Sequence, residues 1–273
     1  MANGVCWMCG KPSETGEHRI KKSDLVERFG KGPFRGDDAL VHVKAGRMRD
    51  LQGPDSKLVK YEKNLCAHCN NTATQPFDKA YEQFVPWVMG NESEVLKRRV
   101  IDFEAVYGAD WATKQRDLFK FFAKSFGCRV NEAGRDVPQD VIDLMGQDSF
   151  ETELYVTFQV NEDQLLLDPE DQAIGTQALI DYKSRSTGEL VGYQCGSHYR
   201  WLTVMYWYNH FPLEPVGASW VANSKFLYLG WYQPLSDEER TDLLAKLSEL
   251  REQKQAEPGA AADGGGTTAF SGS

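Results

Sequence analysis

Two C-x-x-C pairs constrain this chain more than any other feature of its sequence. Cys6 and Cys9 form the first pair, and Cys66 and Cys69 form the second. Two thiolates at this spacing can bind one side of a tetrahedral zinc ion, and a second pair completes a site with four sulfur ligands. Because sulfur then fills every position, the pattern predicts a structural zinc that joins the two segments, with no position open for water.

A redox-active dithiol is the alternative interpretation of a C-x-x-C pair, and it would place the chain among thiol oxidoreductases. The remaining cysteines, Cys128 and Cys195, are isolated and resemble core thiols. The N-terminus lacks a basic segment followed by an apolar one, and the chain has no run of eighteen apolar residues. We therefore expect a cytoplasmic protein with reduced cysteines and no membrane partner.

An acidic residue directly precedes a histidine between the two cysteine pairs, at Glu17-His18. Neighbouring side chains on a strand point to opposite faces, so one could bind a cation while the other faces an attacking water. Imidazole has a pKa suited to a general base near neutral pH. A single histidine is more often structural, and that role is the alternative for His18.

The order of these motifs resembles that of the HNH endonucleases of the His-Me finger superfamily. The resemblance covers about residues 5–85 and includes both cysteine pairs, Glu17-His18, Asn70 directly after the second pair, and a predicted helix. It implies a ββα-metal fold with a four-cysteine zinc. It also implies metal-dependent hydrolysis of phosphodiester bonds in DNA, with RNA as an alternative substrate and one Mg²⁺ or Mn²⁺ as the catalytic ion.

The resemblance assigns a role to each matching residue. Glu17 matches a ligand of the divalent ion, His18 the general base, and Asn70 a further ligand. The last ligand position lies in the helix, where this chain has no histidine. Asp78 is the candidate there because its carboxylate suits a hard cation, and Asn71 is the competitor.

One position departs from the family pattern. Many members carry an asparagine that orients the base histidine, and this chain has Tyr61 at that position. Asn64 is three residues out of register and is given no role. A backbone carbonyl could orient His18 instead.

The charge of the chain is divided unevenly. Its net charge is -9, yet residues 1–100 carry 17 Lys and Arg against 13 Asp and Glu, and the rest carry 14 against 27. This asymmetry permits phosphate binding by the N-terminal part without requiring it. A solvated charged surface is the alternative for the basic residues near Glu17-His18. The candidates for contact with nucleic acid are Arg19, Lys21, Lys22, Lys44, Arg47 and Arg49.

Periodicity and turn residues predict an α+β fold, with a ββα finger followed by a mixed domain that contains an antiparallel sheet. Thr74 is the expected N-cap of the first long helix, and Gly127-Cys128 the expected end of another. Helices are predicted over 75–89, 93–103, 112–126, 139–145 and 237–253. Strands are predicted over 17–20, 39–44, 57–65, 153–160, 178–183, 190–193, 201–210, 218–222 and 226–232.

Three segments follow from this pattern: a zinc-containing nuclease domain over 1–92, an α+β domain over 93–255, and a disordered tail over 256–273. The acidic second domain is expected to regulate, target or dimerise the first. Its aromatic cluster, with Trp220, Tyr228, Trp231 and Tyr232, is expected to be core rather than a surface for stacking bases.

Two functions of different classes remain open at this point. One is a metal-dependent endonuclease in which His18 is the base. The other is a zinc-stabilised nucleic-acid-binding or adaptor module that lacks catalysis.

Overall fold

The part of the chain that the structure describes contains seven α-helices and ten strands. The structure is a computed structural model and describes residues 4–35, 40–44, 47–146, 151–169, 171–209 and 219–256. The helices are α1 (Lys22–Phe29), α2 (Gln75–Gly90), α3 (Glu92–Arg98), α4 (Phe103–Tyr107), α5 (Trp111–Glu132), α6 (Gln139–Gly146) and α7 (Asp237–Ala256). The strands are β1 (Leu40–Lys44), β2 (Arg47–Leu51), β3 (Val100–Asp102), β4 (Leu154–Asn161), β5 (Ile174–Thr176), β6 (Ile180–Lys183), β7 (Leu190–Tyr199), β8 (Leu202–Asn209), β9 (Ser219–Trp220) and β10 (Phe226–Tyr232).

The main sheet has the order β3-β10-β4-β8-β7-β5, with β6 also paired to β7 and β9 to β4. Its pairs are antiparallel except for β10 with β4, which are parallel. Strands β1 and β2 form a separate antiparallel hairpin. The predicted α+β class with a mainly antiparallel sheet is therefore confirmed.

Helix α5 is buried on nearly all sides and connects the N-terminal segments to the sheet. On one side it packs against α2, and on another its Phe122 ring meets Phe158 of β4 edge-to-face at 5.4 Å. Such aromatic contacts add to the free energy that the burial of their surface already contributes. The helix therefore brings residues that are far apart in sequence into one core.

Gly127 lies inside α5, so the prediction that the helix ends at Gly127-Cys128 is wrong. A Cβ atom at this position would lie 2.6 Å from Cη2 of Trp7, between the first two cysteines. A side chain there would therefore overlap the indole ring. The glycine allows close approach of the first cysteine pair, and packing maintains the helix through it.

Side chains from both sides of the predicted domain boundary at residue 92 share one hydrophobic core. Phe84 of α2, for example, lies 5.7 Å from the Phe158 ring of β4. Among the described residues, those up to Tyr232 form one compact unit and those from Gln233 onward form a second one. Whether residues 1–92 fold alone stays a prediction, and residues 257–273 of the predicted tail lie outside the described residues.

Several local predictions were wrong because tertiary pairing and turns override local pattern. The predicted helix over 93–103 is instead α3, β3 and α4, since Arg99 takes a left-handed conformation (φ 54°) and β3 pairs with β10. The predicted strand over 57–65 begins with a 3₁₀ turn. Helix α1 was not predicted. Three residues at the ends of predicted strands lie outside the described residues, namely Ala39, His210 and Ala218.

The expectation that the aromatic cluster is core has a mixed outcome. Within the aromatic cluster, Trp220 is buried, whereas Tyr228 and Trp231 are each 57% exposed. Helix α7 begins with the reciprocal hydrogen bonds of a capping box, in which Glu239 N donates to Ser236 Oγ and Ser236 N donates to Glu239 Oε2. Among the described residues, no helix is both long enough and apolar enough to cross a membrane.

Candidate metal centre and active site

The four cysteines of the two C-x-x-C pairs meet in one cluster. Their sulfur atoms all lie within 4.8 Å of one another, and Cys9 Sγ lies 3.7 Å from Cys66 Sγ. Tetrahedral zinc with Zn–S bonds of about 2.3 Å separates its sulfur ligands by about 3.8 Å. The cluster can therefore hold a metal ion, and its size and donor chemistry fit structural zinc.

Backbone turns place these thiols. Gly10 has a φ of 72°, which favours glycine, and its N–H donates to the Cys6 carbonyl. This hydrogen bond closes the turn at Cys6–Cys9, the first knuckle; the turn at Cys66–Cys69 is the second. In the second knuckle, Cys69 N donates to Cys66 Sγ at 3.4 Å. This backbone hydrogen bond is the main reason that the pKa of the Cys66 thiol is lowered to about 7. The turn thus favours the thiolate form of Cys66, whereas burial raises the pKa of the Cys6 and Cys69 thiols.

The segment with Glu17-His18 pairs antiparallel with the segment that leads into the second knuckle. Isolated bridges join Thr15 to Leu65 and His18 to Lys60, and Tyr61 N donates to the Glu17 carbonyl at 2.8 Å. Gly16 allows this approach, because a Cβ atom there would lie 2.2 Å from the Tyr61 carbonyl oxygen. A π-helical turn over Cys69–Ala73 and helix α2 then follow.

The His18 side chain is 19% exposed and lies in polar surroundings. Its Nε2 is 3.8 Å from Asp55 Oδ1 and has no hydrogen-bond partner among the described residues. Burial, assisted by the charge of Lys60, lowers the pKa of His18, while a hydrogen bond to the backbone of Pro54 opposes this shift. Since proline offers only a carbonyl acceptor, the Pro54 carbonyl is the backbone group that contacts His18, in the role predicted above for a backbone carbonyl.

Tyr61 does not orient His18. Its hydroxyl accepts a hydrogen bond from Arg129 Nε at 2.8 Å, and its ring stacks under the Arg19 guanidinium. Asn64 is fully buried and donates from Nδ2 to the Cys128 carbonyl.

Glu17 and Asp78 face the same buried cation, the ammonium group of Lys124 in α5. Lys124 Nζ lies 2.5 Å from Glu17 Oε2 and 3.7 Å from Asp78 Oδ2. The Lys124 side chain is only 1% exposed. Two carboxylates from segments far apart in sequence therefore converge on one position for positive charge.

Thr74 completes the surroundings of this ammonium group. Its hydroxyl oxygen lies 3.0 Å from Lys124 Nζ and shares its own proton between the carbonyls of Cys69 and Asn70. Thr74 precedes α2 as predicted, but its side chain does not cap that helix because it turns back toward the knuckle. Asn70 Oδ1 is buried and has no hydrogen-bond partner among the described residues, whereas Asn71 is exposed.

These oxygens are the kind that hold a hard divalent cation. The position that Glu17 and Asp78 share already contains a cation, and the Asn70 amide oxygen is available among the described residues. In their chemistry these donors suit a divalent ion, and one bound where Glu17 and Asp78 converge would require the Lys124 ammonium to move from its place. That Glu17, Asn70 and Asp78 bind such an ion stays a prediction.

Two cavities share Glu17, His18 and Lys21 in their linings. An open cleft of about 470 Å³ also includes Lys22 and Glu82. An inner cavity of about 50 Å³ extends to side chains of α2, α5 and the sheet. The cleft could admit a large substrate, while the inner cavity has room only for a few water molecules.

Most of the described basic candidates are engaged by acidic groups. Lys21 Nζ lies 2.7 Å from Asp78 Oδ1 and 3.3 Å from Glu82. Ion pairs also join Arg19 to Glu132 and Lys22 to Asp55. Arg49 is exposed, and the side chains of Lys44 and Arg47 lie outside the described part of the chain. Contact of these residues with nucleic acid stays a prediction.

Sequence reasoning missed Lys124. The only local signal is a charged residue inside the apolar run from Phe121 to Phe126, which would otherwise be core. Such a lysine needs a buried acidic partner, but the sequence does not show which one.

No protein-family model, no curated protein and no solved structure matches this chain. The resemblance to HNH endonucleases therefore rests on the motif residues, and the function remains a matter for proposal.

Proposed function

We propose that this chain is a metal-dependent endonuclease that hydrolyses phosphodiester bonds of DNA. The observation that carries the proposal is the convergence of Glu17 and Asp78 on one cation position. Glu17 is followed directly by His18, whose side chain lines the same open cleft. Hydrolysis of a phosphate ester needs a divalent cation held by carboxylates near an imidazole, and these residues supply both kinds of side chain.

The local order of structure supports the same proposal. Two antiparallel segments, at residues 15–18 and 60–65, are followed by helix α2, with the cysteine cluster at the junction. This order resembles the ββα-metal arrangement, although the paired segments form isolated bridges rather than regular strands. Zinc at the four cysteines would hold the first segment next to the helix.

His18 would accept the proton of an attacking water through Nε2, which has no other partner among the described residues. The water oxygen forms a bond to phosphorus as the P–O3′ bond breaks, and the departing oxygen takes a proton from solvent. The pKa of His18 is lowered by burial, so the ring is neutral and able to accept that proton near pH 7. Mg²⁺ or Mn²⁺ bound by Glu17, Asn70 and Asp78 would supply positive charge at the phosphate.

A second candidate function has one specific observation in its favour. The Lys124 ammonium already neutralises Glu17 within hydrogen-bond distance, and Lys21 does the same for Asp78. A finger with an internal cation could bind nucleic acid or a protein partner without cutting. In that case residues 93–255 would carry the regulatory or dimerisation role expected of them.

The experiment is a cleavage assay on supercoiled plasmid DNA with Mg²⁺ or Mn²⁺, with a matched single-stranded RNA in parallel. We expect wild type to nick or cut DNA and His18→Ala to lose at least about a hundredfold in rate, the usual size of a general-base effect. His68→Ala is the matched control, because His68 is exposed and outside the cleft lining.

Zinc content and far-ultraviolet circular dichroism must be the same in all three proteins. Equal cleavage by wild type and His18→Ala would contradict His18 as the general base. No cleavage with either ion would contradict the endonuclease and favour the adaptor.

A further inference from the structure

We propose that Lys124 competes with the divalent ion for the same two carboxylates and thereby sets the affinity of the site for that ion. The inference rests on the proposed function in one respect, that Glu17 and Asp78 are ligands of the ion. It adds a positioning residue from α5, outside the predicted finger, that no motif indicates.

The ammonium group occupies the volume that an ion would need. Its nitrogen is 2.5 Å from Glu17 Oε2 and 3.7 Å from Asp78 Oδ2, so it forms ion pairs with both acids. A Mg²⁺ ion bound to both carboxylates from the side on which Lys124 lies would be about 2.1 Å from each oxygen and would overlap Nζ. Only one of the two cations can hold that position at a time.

The surroundings favour retention of the ammonium in the absence of an ion. Lys124 is 1% exposed, and Thr74 Oγ1 accepts a third contact from its Nζ at 3.0 Å. Because a buried charge without a partner is costly, Lys124 holds the two acids together while no ion is bound. Entry of an ion must therefore include the cost of moving Lys124 to another partner, which weakens the observed affinity.

Lys21 differs from Lys124 in its position. It lies at the cleft and contacts Asp78 through the other carboxylate oxygen, Oδ1. Since carboxylates can bridge two cations, Lys21 can stay in place when an ion binds at Oδ2. The competition is therefore assigned to Lys124 alone.

The test measures Mn²⁺ binding to the full, zinc-loaded chain by isothermal titration calorimetry, with free Mn²⁺ checked by electron paramagnetic resonance. Lys124→Met removes the charge and keeps most of the aliphatic volume. We expect it to bind Mn²⁺ at least about tenfold more tightly than wild type, because no internal cation must be displaced. The double variant Glu17→Gln/Lys124→Met should lose this gain, since it lacks one carboxylate.

Lys120→Met is the matched control, because Lys120 lies one turn earlier on α5 with its ammonium 5.6 Å from the centre of the Phe77 ring. Its affinity should stay within about twofold of wild type. Lys124→Met that binds Mn²⁺ no more tightly than wild type would overturn the inference.

Folding is followed by circular dichroism, because Lys124→Met leaves two acids without their shared partner. If this variant is unfolded without Mn²⁺, recovery of the wild-type spectrum on addition of Mn²⁺ supports the competition. If Lys124→Met stays unfolded after addition of Mn²⁺ while Glu17→Gln/Lys124→Met is folded, the inference is overturned. Ion binding as expected without any DNA cleavage would leave this inference intact and contradict the proposed function.

Discussion

Lys124 Nζ lies 2.5 Å from Glu17 Oε2, and the two side chains are 1% and 13% exposed. The lysine comes from the central helix α5, and the glutamate comes from the segment between the two cysteine pairs. This ion pair therefore ties the N-terminal segment to the core through a contact shielded from water. Its loss should affect both stability and the proposed chemistry.

Glu17→Gln should lower the free energy of unfolding by about 3–5 kcal/mol, because it leaves the Lys124 ammonium buried without its nearest carboxylate. Urea unfolding at pH 7 measures the change. Glu14→Gln, at an exposed glutamate three residues earlier, should change it by less than about 0.5 kcal/mol. Equal effects of the two substitutions would show that the buried pair contributes no specific stability.

Cys66→Ser should abolish stoichiometric zinc binding and unfold the segment around the cysteine cluster, because three thiolates hold zinc more weakly than four. We expect zinc content, measured by plasma mass spectrometry, to fall from about one ion per chain to near zero. Cys195→Ser is the control, because Cys195 is a buried thiol on β7 outside the cluster. A zinc content unchanged in Cys66→Ser would contradict the four-cysteine site.

Gly127→Ala should destabilise the chain by about 1–3 kcal/mol, because the new methyl group would overlap the Trp7 indole at 2.6 Å. Gly90→Ala, at the end of α2, meets no atom within 4 Å and should stabilise by up to about 1 kcal/mol through helix propensity. Thermal unfolding of the two variants should therefore shift in opposite directions. A stabilising Gly127→Ala would mean that Trp7 does not pack on α5.

The burial of Asp24 should make the stability of the chain depend on pH. Burial raises the pKa of its carboxyl from 3.8 to about 7, with a hydrogen bond from the Tyr81 hydroxyl at 2.7 Å opposing the shift. A folded-state pKa above the unfolded one means that its stabilisation is complete below pH 3.8 and is lost as pH rises through about 7.

Asp24→Asn removes this titration. Relative to wild type, the variant should gain stability as pH rises from about 4 to about 7, by up to about 4 kcal/mol in total. Denaturant unfolding at a series of pH values measures the difference. A difference that is constant across this range would contradict the raised pKa.

The pH profile of cleavage should report on His18. Its pKa is lowered by burial and by Lys60 and raised by Asp55, so the acidic limb of kcat/KM should lie below the ordinary value of 6.5. Lys60→Met should move this limb to higher pH and Asp55→Asn to lower pH, each by up to about half a unit. Shifts in the same direction would exclude His18 as the base.

Local patterns were sufficient for much of the secondary structure. Helix α2, strand β10 and the start of α7 follow from periodicity and capping residues and were predicted within a residue or two. The same patterns failed at β3, which forms only because β10 pairs with it. They also failed at Gly127, a residue type that often ends helices, because here it lies inside α5 and allows the Trp7 ring to approach closely.

The sequence by itself determined the cysteine cluster, because two C-x-x-C pairs are a local signature whose ligands need only one metal to bring them together. It also indicated Glu17 and Asp78 as acids of interest, through the resemblance of the motifs. Only the tertiary structure decided that both acids face Lys124. The physical reason is that a buried lysine requires an acidic partner, while the packing of α5 against α2 and the N-terminal segment selects which acid it meets.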